Sequence, residues 1–143
     1  MAEWIKWLAI ALAAIGGGFL IWYAMWREDF EGLRSASRYR RDLANREPMD
    51  EEAFFEHFYA GSRIDKELVY RFLRFQADFW SVPVELIRPH DDYNLIMGDG
   101  DADDFISALE REFSIHVSND DCQELNGTFD SLVRFLASKL VQA

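Results

Sequence analysis

Hydrophobic positions fall into one unbroken run followed by several periodic stretches. Residues 7–26, W-L-A-I-A-L-A-A-I-G-G-G-F-L-I-W-Y-A-M-W, contain no charged side chain. A helix of about 20 residues rises about 30 Å, the hydrocarbon thickness of a bilayer. Trp4 and Trp7 stand at one end of the run, and Trp22, Tyr23 and Trp26 at the other. That is the placement of an aromatic belt. No face of the run is polar, which argues against a soluble buried helix. A cleaved signal peptide would need a stronger basic region than Lys6 beside Glu3. The pattern predicts an N-terminal transmembrane anchor over residues 1–26. Arg27, Arg34, Arg38, Arg40 and Arg41 follow it closely, while only Lys6 and the terminal amine precede it. The positive-inside bias then places the N-terminus outside and the C-terminal domain in the cytoplasm. Ala9, Ala13 and Gly17 recur at i, i+4 and i+8. They offer a smooth side to a neighbouring transmembrane helix, or are chance spacing of common membrane residues.

Residues 27–49 form an arginine-rich juxtamembrane linker or helix, which Pro48 ends. Helical periods then return over residues 50–143. Asp50 is placed to cap a short helix, E-E-A-F-F-E-H-F-Y, that Gly61 stops. From about Asp65 to Trp80, Leu68, Phe72, Phe75 and Phe79 mark an apolar stripe, with Val69, Leu73 and Trp80 beside it. On its outer side Glu67 and Arg71, then Arg74 and Asp78, are spaced for i,i+4 pairs. Residues 82–98 lack a sustained period, and Pro89 forbids a long helix. A helix follows at about 101–113 with Phe105, Ile106, Leu109 and Phe113 inward, then a short turn at 119–125. Thr128 caps a last helix with Phe129, Leu132, Val133, Leu136 and Leu140 inward. No stretch alternates like a strand, so the fold class is all-α: a membrane helix followed by a small helical bundle.

Charge narrows the function. The net charge is −11. Residues 1–46 carry +2 and residues 47–143 carry −13. Such an acidic domain repels phosphate backbones, so no nucleic acid is expected. It suits a basic protein partner. Cys122 is the only cysteine, so no intrachain disulfide can form. His57, His90 and His116 show no metal-ligand spacing, and no nucleophile–base motif stands out. No catalytic residue and no enzymatic activity are expected.

Four motifs in order carry a resemblance. A-L-E-R-E-F (108–113), S-I-H-V-S-N-D-D (114–121) and T-F-D-S-L-V-R-F-L (128–136) are similar to matching stretches of acyl carrier proteins, and G-D-G-D-A-D-D-F (98–105) resembles the stretch before helix two in a related bacterial group. The resemblance covers about residues 65–142. It is closest to a bacterial group of small carrier-like proteins of unknown function. It implies a carrier-like helical bundle and, with the anchor, a single-pass protein of the bacterial inner membrane whose partners include the lipid bilayer. Carriers hold phosphopantetheine on a serine in D-S-L at the start of the second helix. Here Asp99 occupies that position, and no serine occurs from residue 82 to 106. Asp cannot accept the group, so no cofactor is expected. The chain reads as an accessory subunit or interaction module. The alternative is a carrier with an unrecognised attachment residue. The resemblance further implies that Asp99, Asp101, Asp103 and Asp104 meet the basic partner.

The same stretch has a metal reading. Asp99, Asp101, Asp103 and Glu110 stand at positions one, three, five and twelve of an EF-hand loop, with Ile106 at the apolar eighth. Asp104, however, takes the sixth position, where the turn needs glycine. A helix start is acidic in any case, because carboxylates complement its dipole.

Overall fold

The computed structural model describes residues 17–18, 21–24, 27, 34, 36–92 and 102–142. The chain divides into two compact units, Met1–Ser35 and Ala36–Ala143. In the first, residues 17–18, 21–24, 27 and 34 are helical, and Ile21, Trp22 and Tyr23 are exposed. Among the described residues no helix is long and apolar enough to cross a membrane. This overturns the expected transmembrane anchor of residues 1–26, and with it the single-pass inner-membrane location and topology. The reason is physical. An uncharged run with aromatic ends is a matter of composition, whereas crossing needs a continuous rod of about 20 helical residues. No helix among the described residues is such a rod. Ala9 and Ala13 lie outside the described residues. Gly17 is exposed, with nothing within 4 Å of where a side chain would begin.

The second unit is built from helices. In chain order they are α1 (36–44), α2 (Glu51–Phe58), α3 (Lys66–Trp80), a 3-10 turn (Val84–Leu86), α4 (Ala102–Phe113), α5 (Asn119–Glu124) and α6 (Phe129–Gln142). Local chemistry sets their starts. The Ala53 N–H donates to the Asp50 carboxylate at 2.7 Å, and the Leu68 N–H to Asp65 at 3.1 Å. Thr128 Oγ1 accepts from the Ser131 N–H at 3.2 Å. Each bond satisfies a donor that a helix start leaves open.

α3 is the central element, touching α2, α6 and the 3-10 turn. Phe72 is fully buried, with its ring 4.8 Å from Phe129 and 6.0 Å from Phe113 between centroids. Phe54, Tyr59, Leu109, Val133 and Leu136 close the same core. The buried face of α3 is Val69, Phe72, Leu73, Gln76, Ala77 and Trp80. The stripe marked in the sequence is therefore rotated: Leu68, Phe75 and Phe79 are only partly buried. The amide of Gln76 is buried with no hydrogen-bond partner among the described residues. The expected i,i+4 pairs on α3 do not form. Arg74 instead holds Glu51 of α2, and Arg71 holds Glu112 of α4.

The end of the α1 segment and the irregular connector after α3 (residues 81–92 of it described) are joined by an ion pair that is buried on its acidic side. Arg46 donates from both terminal nitrogens to the two oxygens of Asp91, each at 2.8 Å. The Asp91 side chain has no exposed surface. Its carboxylate also accepts the Arg88 N–H at 2.7 Å. Leu43 of α1 is buried nearby in sequence. The connector in turn seats α6: the Phe129 N–H donates to the Asp91 carbonyl and the Asp130 N–H to that of Pro89. The latter half of the arginine-rich segment thus belongs to the folded unit.

Candidate functional site

The acidic start of α4 and the short α5 flank one cleft. Asp103 and Asp104 occupy the first turn of α4 and are exposed. Phe105, Leu109 and Phe113 turn inward and are buried, while Ile106 is half-buried. This division follows from the 3.6-residue period. α5 is fixed by a capping box. Ser118 accepts from the Asp121 N–H, and Asp121 accepts from the Ser118 N–H and hydroxyl. Lys139 of α6 adds an ion pair to Asp121 at 2.8 Å. Lys139 and the Ser118 donors hold the Asp121 carboxyl down at about 2.

Between these helices lies an apolar cleft of about 160 Å³ lined by Ala102, Phe105, Ile106, Cys122, Leu125, Gly127 and Leu132. Gly127 has φ 78°, a conformation that a side chain would strain. It lets the chain turn from α5 into α6 beside the cleft. Cys122 is a free, exposed thiol.

Unpaired carboxylates occur on this face as on α3, and Arg63 and Arg111 are exposed cations without an ion pair among the described residues. Lys66, Arg71, Arg74, Arg134 and Lys139 are each paired internally with a carboxylate. Arg88 is held by the Glu47, Glu85 and Ile87 carbonyls. Asp104, Asp120 and Glu124 make no ion pair or hydrogen bond among the described residues, and all are exposed. Three unpaired carboxylates therefore stand on the helices that flank the cleft, outside its lining.

Glu110 has another task. Its carboxylate accepts the Val117 N–H at 2.8 Å and meets His116 Nδ1 at 2.9 Å. The Val117 N–H, with His116 behind it, lowers its pKa. It staples the turn after α4, where Ser114 takes a left-handed φ of 54°. The twelfth EF-hand position is thus engaged within the fold. Asp99 and Asp101 lie outside the described residues, as does the carrier-serine position. Among the described residues, no three His, Cys, Asp or Glu side chains are grouped to hold a metal.

Two features escaped the sequence. Arg46 and Asp91 are 45 residues apart, and no local pattern links them. The unpaired acids of α5 could be read only after Asp121 was assigned to its cap. Comparison with known proteins finds no matching family model, no matching characterised protein and no matching solved structure.

Proposed function

We propose that this chain is a non-catalytic interaction module or accessory subunit that binds a basic protein partner through its α4–α5 face. One observation carries the reading: the cations first named above are spent on internal partners, while Asp104, Asp120 and Glu124 remain unpaired and exposed on the two helices that flank an apolar cleft. Oriented charge of this kind sets association rate and salt sensitivity, and the cleft supplies a place for one apolar anchor. The order of a long α3, an irregular connector, an acidic α4, a short α5 and a final α6 supports a carrier-like bundle. The lack of serine from 82 to 106 supports the loss of the prosthetic group, because attachment needs a hydroxyl nucleophile.

Two experiments test this. Affinity capture with the full chain should recover a basic partner at low salt, and Asp104→Asn with Glu124→Gln should lower its yield. Equal recovery by the variant would refute the α4–α5 face. Intact-mass measurement after incubation with a carrier-modifying transferase and coenzyme A should show the unmodified chain. A mass gain matching one phosphopantetheine arm would instead favour the carrier alternative.

A further inference from the structure

α3 presents a second surface that the α4–α5 reading leaves unused. Leu68, Phe75 and Phe79 are seven and four residues apart, so they form one narrow stripe. All three are only partly buried. With Leu140 at the end of α6, which is 41% exposed, they floor an open groove of about 790 Å³. Leu140 is expected in the core from its period, and its exposure here is the clearest departure in α6.

Glu67, Arg71, Arg74 and Asp78 run beside the stripe and also line the groove. The two cations are neutralised inside the fold, Arg71 by Glu112 at 2.9 Å and Arg74 by Glu51 at 2.6 Å. Glu67 and Asp78 make no ion pair or hydrogen bond among the described residues. At 1.5 Å per residue they stand roughly 16 Å apart along α3, about three turns. The groove thus has an apolar floor with an acid outside any ion pair at each end of one edge, Glu67 being close enough to Arg74 to support its charge.

We infer that this groove docks an amphipathic basic helix of a partner protein. Apolar side chains on one face of that helix lie on Leu68, Phe75, Phe79 and Leu140. Two Lys or Arg residues about three turns apart on its flank meet Glu67 and Asp78. Charge decides among occupants. An acidic helix would meet the same sign at both ends of the edge. A second copy would bring another segment of −13 against the first, and like charges at that density repel.

The test uses a fluorescein-labelled helical peptide of about 18 residues with one leucine face and two lysines about three turns apart on its flank. It is titrated into the full-length chain and read by anisotropy. Saturable binding is expected. It should weaken roughly tenfold or more in Leu140→Asp and in the Glu67→Lys/Asp78→Lys pair. The charge-reversed chain should regain binding when the two peptide lysines are replaced by glutamates. Asp104→Asn with Glu124→Gln should change binding by less than about twofold, since those acids are not in the groove. Circular dichroism checks that each variant keeps its helices. The proposal fails if binding does not saturate or if Leu140→Asp has no effect. It also fails if the Asp104/Glu124 variant loses as much as the groove variants, which would indicate general attraction to negative charge. Self-association abolished by Leu140→Asp would assign the groove to a second copy and overturn it as well. Each failure leaves the α4–α5 face to be judged by its own capture experiment.

Discussion

Asp91 has three N–H donors on its carboxylate and no exposed side-chain surface. Burying a charge is costly, and only such complete pairing offsets it. Arg46 responds in kind. Burial pulls its pKa down, but hydrogen bonds to Asp91 and Asp42 outweigh that and raise it overall. Tyr39, whose ring lies under the guanidinium at 5.4 Å, has its phenol pushed up by burial and by Asp91. Asp91→Ala would leave the half-buried Arg46 with only Asp42 and the Leu86 carbonyl, at a cost of about 1–3 kcal/mol in urea denaturation. Arg46→Leu with Asp91→Leu should cost less than the two single changes summed, by about 0.5–3 kcal/mol. Additive losses would show that the pair is not coupled. Asp121 gives a pH signature. Its folded pKa of about 2 lies below the ordinary 3.8, so its stabilisation is complete above the unfolded value and is lost as pH falls through about 2. Asp121→Asn should therefore be less stable than the parent at pH 7 and converge with it near pH 2. A constant gap across that window would count against the Lys139 pair. These contacts differ in how far the sequence revealed them. Asp50 and Thr128 were legible because a cap bonds three residues ahead in the chain. The Arg46–Asp91 pair was not, because it depends on where a long irregular connector returns.

Elements show the same contrast between local and tertiary causes. The helical periods gave α2, α3, α4, α5 and α6 close to their observed limits. Details set by packing moved. α2 ends at Phe58, one residue short of the expected Tyr59, whose ring is buried and whose hydroxyl donates to Asp130 at 3.0 Å. α3 rotated its buried face, because α2, α6 and the 3-10 turn cover it from other directions than its stripe indicated. α3 and α4 each end beside a serine in the left-handed region, Ser81 and Ser114, both at φ 54°. Such a φ strains any residue with a Cβ. Ser114→Gly should raise stability by about 0.5–1 kcal/mol, the relief being partly offset by a more flexible unfolded chain. Thermal unfolding measures it, and a lower Tm for the glycine variant would contradict the cap assignment.

At the scale of the whole molecule, charge is the property most nearly legible from the start. The −13 of residues 47–143 is read from the sequence directly, and the structure adds which acids of α4 and α5 are unpaired among the described residues. The anchor was the opposite case. Its composition matched a bilayer, yet no described helix is long and apolar enough to cross one. The central proposal is that the α4–α5 face docks a basic partner through the exposed acids of these two helices. Its most direct test is quantitative capture from a lysate of the native cells at two salt concentrations, comparing the full chain with Asp104→Asn/Asp120→Asn/Glu124→Gln. The expected result is a basic protein retained by the parent at low salt, and depleted both by salt and by the triple change. Equal recovery by parent and variant, insensitive to salt, would contradict it.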